Sequence, residues 1–507
     1  MAAIPNVTPR TAHGPASGAA PRLTYGVAAL ARPTFDVPFA EQMKDQAFAA
    51  LAAAGIDVVG PRELLFDRAA ADKAVAEITA AADGGRKIDA LLIMQVTFTD
   101  ATMIVKLAKD VTAPRGIPLA IWALPEPRSG GRLRLNAYCG LNLAAHALGR
   151  AGAAHTWLYV DPAAAADGPQ AAARAEQLRA LAQPASEAKR APKSVRARAP
   201  RVTPDGAAAA ERVLAKLQGS KITVVGKHPD GFDTCEYDDA LLQQLAGMKV
   251  ETVQLGTVFD KARGADAARV AKVRAAAAAE LHGLDEVNQE QLDKSFRVFC
   301  ALQDVKNETN ASGMAVRCWP EMFTEYGCAA CGPMAMMNQD RVPSACEADV
   351  NGSITQLMLQ ELAGEPAWMA DLVDITPEND TAVLWHCGLA PLSMRDPEAD
   401  AQATIHTNRK MPLLHQFPIK PGRITLARLS RAKNEVKLMI ASAEVVRAPM
   451  AFTGCSGTVK FAKPAGEVER AIIEEGLEHH FALAYGDHKP ALEAIAKKWG
   501  LPVLELA

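Results

Sequence analysis

LTYGVAALA (residues 23–31), FAEQMKDQAFAALAAAGI (39–56), IDALLIMQVTF (88–98) and PLAIWALPEP (118–127) succeed one another near the start of the chain. Short apolar runs alternating with an alanine-rich amphipathic segment are the mark of βαβ units, which pair their strands in parallel and lay helices on the faces of the sheet. The alternation restarts at KITVVGKH (221–228) and AGMKVETVQLG (246–256). Neither region carries a G-x-G-x-x-G or G-K-[ST] loop, so no motif supports nucleotide binding. Beyond about residue 370 the texture changes to strands punctuated by Pro and Gly: TAVLWHCGLAP, GRITLARLS, EVKLMIASAEVV and GTVKFA, then a closing helix from Pro490 to Trp499. That pattern reads as an antiparallel, barrel-like β module. The expected fold class is therefore α/β: two Rossmann-like αβ sandwich domains, residues 23–160 and 218–370, followed by a β-rich, barrel-like C-terminal domain, residues 371–507.

Between the first two units, residues 161–217 are rich in Ala, Pro and Arg and show no apolar face before Val213 to Leu217. With little to bury against the entropy of ordering, this stretch reads as a flexible linker or insertion, peripheral to the fold. Its basic run KRAPKSVRARAP (189–200) has no interleaved aromatic residue and is offset by nearby acids, as a solvated face is. The 507 residues are 49% hydrophobic and 22% charged with a formal net charge of -3. This is the balance of a soluble protein of several domains, with no electrostatic pull toward nucleic acid or membrane. The first 22 residues hold no apolar core of signal-peptide length and no later stretch approaches 18 apolar residues, so a cytoplasmic location is expected. Nine irregularly spaced cysteines do not form a secreted disulfide framework.

Chemistry concentrates in GMAVRCWPEMFTEYGCAACGPMAMMNQDRVPSACEAD (313–349). Cys318, Cys328, Cys331 and Cys346 contain a single C-x2-C, and their apolar company is that of buried free thiols rather than of a zinc or iron–sulfur site. The alternative uses oxygen: Glu321, Asp349 and a histidine from elsewhere would suit Mn²⁺ or Mg²⁺. Against it stands a plainer role. In ACEADVNGSITQLMLQEL (345–362), Ile354, Leu357, Met358 and Leu362 fall at helical spacing after Asn351-Gly352-Ser353, which makes Ser353 an N-cap and places Glu347 and Asp349 where acids commonly meet a helix start.

The stretch RCWPEM…GCAACG…ACEADVNGSITQLMLQEL…ADLVDI…WHCG closely resembles the L-fucose isomerase and L-arabinose isomerase superfamily. The tail EHHFALAYGDHKPALEAIAKKWGLPVLEL resembles that family's C-terminal end, where a metal-binding histidine, here His480, precedes a glycine, here Gly486, by six residues. IDALLIMQVTFTDATM, PLAIWALPEP and GLNLAAHALG resemble its N-terminal strands and following helix, so the likeness spans about residues 23–155 and 219–507. The resemblance implies an aldose–ketose isomerase working through a cis-enediol, with Mn²⁺ (or Mg²⁺ or Co²⁺) held by Glu321, Asp349 and His480. Glu325 is the alternative to Glu321, and Glu347 is the neighbour most easily confused with Asp349. Glu321 and Asp349 would also move the proton, His386 and Trp319 would contact the sugar, and His479 would point away as a neighbour of the site. The same metal chemistry serves an epimerase or dehydratase of a sugar-derived substrate, and paired αβ domains also make sugar-binding proteins. A small sugar is the partner expected, in a homo-oligomer.

Overall fold

Leu23–Leu30 buries its last six residues, and Ala90–Gln95 and Leu119–Ala123 bury all of theirs. They read as unbroken apolar runs because a parallel strand between two helical layers has no solvent face. In the computed structural model, which describes residues 22–163, 169–185 and 195–507, these strands form the middle of a parallel sheet. Its order is Ile56–Val59, Leu23–Leu30, Ala90–Gln95, Leu119–Ala123, Thr156–Tyr159, with Leu64–Leu65 also paired to Leu23–Leu30. The first helix, Val37–Ala53, starts where the Asp36 carboxylate accepts the Phe39 N–H at 3.3 Å. It buries Phe39, Met43, Ala47 and Leu51, one helical face, against that sheet.

A second parallel sheet runs Ser344–Ala345, Gly313–Val316, Lys221–Val225, Lys249–Val253. The third sheet has nine strands. Trp368–Thr376, Thr381–His386, His480–Tyr485, Gly422–Ser430 and Lys437–Val446 pair antiparallel. Cys455–Phe461 pairs with Thr381–His386 on one edge and Lys437–Val446 on the other, so the path of pairing returns on itself. Leu414–Pro418 and Val503–Glu505 join it in parallel, so the sheet is mixed where the sequence suggested a purely antiparallel one. All of Trp368–Thr376 belongs to it, which places the change of sheet a few residues before 371.

The 161–217 segment differs from the expected solvated linker over its described residues. Helix Pro169–Ala180 and the turn after it bury Leu178 and Leu181 against the first sheet, and the Tyr25 hydroxyl donates to the Leu178 carbonyl at 2.7 Å. Helix Pro204–Leu217 buries Ala210, Val213 and Leu217 against the C-terminal helix Lys489–Trp499. A Cβ on Gly206 would stand 2.5 Å from the Pro490 carbonyl oxygen, so the contact is backbone on backbone. Arg198 bonds to both Glu493 (2.7 Å) and Glu505 (2.6 Å). Four large apolar side chains, helped by alanine and the close approach at Gly206, supply this packing, and they are too thinly spread to form an apolar stripe in the sequence. Residues 1–21 and 189–194, on which the reading of the chain start and half of the basic run fall, lie outside the described residues. Among the described residues no helix is long and apolar enough to cross a membrane.

Candidate active site

Three pieces of chain bring carboxylates and imidazoles together. His480 opens the strand His480–Tyr485, and the antiparallel register sets it directly opposite Asp371. His386 ends Thr381–His386, the strand on the other side of Asp371. Glu347 sits in the short turn Cys346–Ala348 with φ of 58°, a left-handed conformation uncommon for a non-glycine residue. The His480 ring lies between these groups: Nδ1 is 3.0 Å from Asp349 Oδ2, while Nε2 is 3.4 Å from Asp371 Oδ1 and 3.7 Å from Glu347 Oε2. Facing a carboxylate, Nδ1 carries the ring proton, which leaves the Nε2 lone pair between the other two acids.

The electrostatics follow from burial. Burial pushes the Asp371 carboxyl up to about 6, against the pull of His480 and His479; its Oδ1 is buried and accepts no hydrogen bond. Burial also opposes ionisation of Glu347, but the hydrogen bond and charge of His479, the charge of His480 and the Trp319 indole N–H outweigh it and hold the carboxyl at about 2. His479 bridges Thr234 Oγ1 (3.1 Å) and Glu347 Oε2 (3.2 Å). A buried carboxylate oxygen without a donor, an imidazole lone pair and a second carboxylate oxygen form a donor set for a hard divalent cation. Two adjacent ligands about 2.1 Å from an octahedral ion stand roughly 3 Å apart, close to the spacings found here. Glu347, Asp371 and His480 thus fit a metal, with His386 and His479 beside it, since Glu347–His479–His480 and Asp371–His386–His480 each bring their ligand atoms within 4.8 Å.

Asp349, read from the sequence as a ligand, faces away from this cluster's open side. It is the N-cap of helix Val350–Ala363, its Oδ1 accepting the Gly352 N–H at 2.8 Å, and its Oδ2 is ion-paired with the fully buried Arg428. The N-cap therefore lies four residues before Ser353, whose hydroxyl donates to the Pro343 carbonyl instead. A Cβ on Gly352 would sit 2.7 Å from Asp349 Oδ2, so only glycine lets the carboxylate fold over the helix end. Asp349 meets His480, but through Nδ1. Glu321 is not brought to them: both its oxygens are held by Arg317, four residues earlier in the preceding loop, at 2.7 and 2.8 Å, and Glu325 is exposed. His386 and Trp319 do line the cleft. The Cys387 N–H donates to His386 Nδ1 at 2.9 Å, so the neutral ring carries its proton on Nε2; the Trp319 indole donates to Glu347 Oε1 at 2.9 Å. His479 does not point away, since the two histidine rings lie 3.9 Å apart and both reach Glu347. The cysteines 318, 328, 331 and 346 are all buried, with Cys318 Sγ 2.7 Å from Cys346 Sγ.

Asp371 is the residue the sequence reading passed over, and Glu347 was weighed only as the neighbour of Asp349. Asp371 had a signal, as the acid that opens ADLVDI inside an apolar strand. Glu347 had none stronger than its neighbour's, because the positive φ that turns it into the cleft is invisible in the pattern. The rest of the wall is aromatic: Phe98, three residues beyond a strand of the first sheet, packs edge-on to Phe232, Phe232 edge-on to Trp319 and to His479, and Phe98 lies tilted against His479. Arg32 and Arg409 lie over Trp319 at 4.9 and 5.2 Å.

A cleft that offers a metal set, donors for hydroxyls and a flat indole belongs to an enzyme working on a sugar. The description "Fucose/sulfoquinovose isomerase, N-terminal domain" matches residues 26–184, and "L-fucose isomerase, C-terminal domain" matches residues 384–507. The sulfoquinovose isomerase of Alkalicoccus urumqiensis is 29% identical over 420 residues, 82% of this chain and 86% of that one. That of Priestia aryabhattai is 28% identical over 462 residues, 90% and 93% of the two chains, and that of Clostridium sp. (strain MSTE9) 29% over 409 residues, 80% and 83%. The chain belongs to the L-fucose isomerase-like family and is an aldose–ketose isomerase.

Proposed function

We propose that the enzyme is metal-dependent and interconverts an aldohexose bearing an anionic substituent, of the sulfoquinovose kind named for its relatives, with the corresponding ketose. The observation that carries the reading is the convergence of Glu347, Asp371 and the His480 Nε2 lone pair around one point. Isomerisation moves a proton between two adjacent carbons and must stabilise the charge that develops on their oxygens. A Mn²⁺, Mg²⁺ or Co²⁺ ion bound by Glu347, Asp371 and His480 supplies that stabilisation as a Lewis acid. The protein's own groups do the rest. Asp349 fixes the tautomer and orientation of His480. One of the two cleft carboxylates takes the proton from C2 and returns it to C1, the cis-enediol route, and we assign this to Glu347, whose second oxygen is steadied by Trp319. His386 Nε2–H offers a hydrogen bond to a sugar oxygen, and Phe98, Phe232 and Trp319 exclude water. The two α/β units and the circuit of strands beyond them act as three domains, the last barrel-like, in a cytoplasmic homo-oligomer. Glu347→Gln should lower kcat by roughly a hundredfold or more, and Asp371→Asn should lose bound metal measured by mass spectrometry. Isomerisation in D₂O should place deuterium at C1 of the ketose. Full activity after exhaustive chelation defeats the metal reading, and a fully active Glu347→Gln defeats the assignment of the base.

A further inference from the structure

Trp319 connects the two ends of the cleft. Its indole N–H reaches Glu347, and the guanidinium groups of Arg32 and Arg409 both lie over its ring. The two cations differ in what balances them. Arg32 is paired with Asp100 at 3.0 Å. Arg409 has no carboxylate within ion-pair distance among the described residues; its neighbours are the faces of Trp319 and Phe323, at 5.2 and 5.1 Å. Burial and the like charge of Arg32 lower its pKa, the sign of a guanidinium short of a counter-charge. Of the two guanidinium groups that line the cleft, Arg409 is thus the one whose charge no carboxylate balances.

The turn that presents Arg409 prepares a second donor. The backbone N–H groups of Asn408 and Arg409 donate to His406 Nδ1 at 3.2 and 3.3 Å. The neutral ring therefore holds its proton on Nε2, which has no protein acceptor among the described residues. Burial, then the charges of Arg409, His386 and Lys410, push this histidine down to about 3, so it stays neutral across the physiological range. The same tautomer argues against a metal held by His406 with the neighbouring Cys331 and Cys387, since the nitrogen left free is a donor.

Resting on the sugar isomerase reading above, we propose that Arg409 is the residue that sets substrate choice, its guanidinium receiving a tetrahedral oxyanion on the sugar carbon farthest from the carbonyl, with His406 Nε2–H as second donor. Arg32, already neutralised by Asp100, holds Trp319 in place. One unbalanced charge suits a monoanion, which favours a sulfonate over a phosphate, and a planar guanidinium presents paired donors to two of its oxygens.

The test compares metal-loaded wild type, Arg409→Lys and Arg409→Met on 6-deoxy-6-sulfoglucose, glucose 6-phosphate and 6-deoxyglucose. It is joined by calorimetric titration with the corresponding sulfonated hexitol, which has no carbonyl and cannot isomerise. The expected result is a wild-type preference for the sulfonated sugar. Arg409→Met should reduce that preference roughly 10- to 100-fold, chiefly through KM, with a matching loss of hexitol affinity, and Arg409→Lys should restore part of both. If Arg409→Met keeps the sulfonate preference and the hexitol affinity, the assignment to Arg409 is overturned while the anionic substrate stands. If wild type prefers 6-deoxyglucose, the anionic substrate itself is wrong. If it prefers the phosphate, the monoanion argument is overturned.

Discussion

Asp349→Asn is the substitution that best separates the site described above from the one the sequence suggested. The amide oxygen can still accept the Gly352 N–H, so the helix cap survives. Its NH₂ then faces Arg428 and His480 Nδ1, a donor against two donors. Arg428 is 1% exposed and loses its charge partner in a place water does not reach. Breaking a buried pair by removing one member costs about 3–5 kcal/mol. Arg428 keeps its hydrogen bond to the Thr234 carbonyl at 2.9 Å and the attraction of Glu478, which argues for the lower end, about 3 kcal/mol. His480 also loses the acceptor that orients it, worth roughly 10- to 100-fold in metal affinity. Glu321→Gln is the control. Its pair with Arg317 is part-exposed on both sides and bridges four residues of loop, so the loss should be about 0–1 kcal/mol with metal binding and turnover unchanged. Urea denaturation of the metal-free proteins gives the first quantity, and competition with a chelator of known affinity gives the second. An Asp349→Asn protein with wild-type stability and metal affinity, or a Glu321→Gln protein that loses its metal, would refute the reasoning.

Two further expectations follow from burial. Glu469 is 8% exposed and burial, then the charges of Asp374 and Glu378, raise its carboxyl to about 8. A folded pKa above the unfolded one means that stability falls as pH rises from about 4.5 to about 8, by up to about 1.4 kcal/mol per pH unit. Glu469→Gln should remove part of this fall and gain roughly 1–3 kcal/mol over wild type at pH 8 relative to pH 5, read by thermal unfolding at both pH values; equal gains at both would refute it. Replacing residues 165–210 by a short Gly/Ser linker removes Leu178, Leu181, Arg198 and half of the helix on Lys489–Trp499, so the product should be insoluble or melt many degrees lower. A soluble protein with an unchanged melting temperature would return this stretch to the role of a spacer.

The sheets were legible because parallel strands declare themselves: LLIMQV and LAIWA have no polar face to confuse the reading. The packed strap of 161–217 was not, because its few large apolar contacts, Leu178, Leu181, Val213 and Leu217, are spread thinly among alanines, and the close approach of Gly206 and the Arg198 head group leave no apolar pattern. In the site, His480 could be placed by its distance from Gly486 and a following helix, both local features. Glu321 was misleading for a local reason too: Arg317, in the loop four residues earlier, already claims it. Glu347 and Asp349 are separated by one residue, and which faces the cleft depends on the left-handed turn at 347 and 348. Asp371 depends on a strand register spanning more than a hundred residues. Those are facts of tertiary structure that no spacing encodes.

The aromatic wall has a consequence for how this chain can be divided. Phe98 lies in the loop after a strand of the first sheet, Phe232 and Trp319 in loops after strands of the second, and His479 and His480 at the start of a strand of the third, and each touches at least one of the others. No single sheet owns a floor, a roof or a complete ligand set. A fragment carrying two of the three would keep much of its secondary structure yet present half a bowl to solvent, open to water and unable to grip a hexose. Turnover is consequently a report on the whole assembly of the polypeptide: recombining segments from different relatives would have to preserve the seams between sheets, rather than any one motif, to yield a working catalyst.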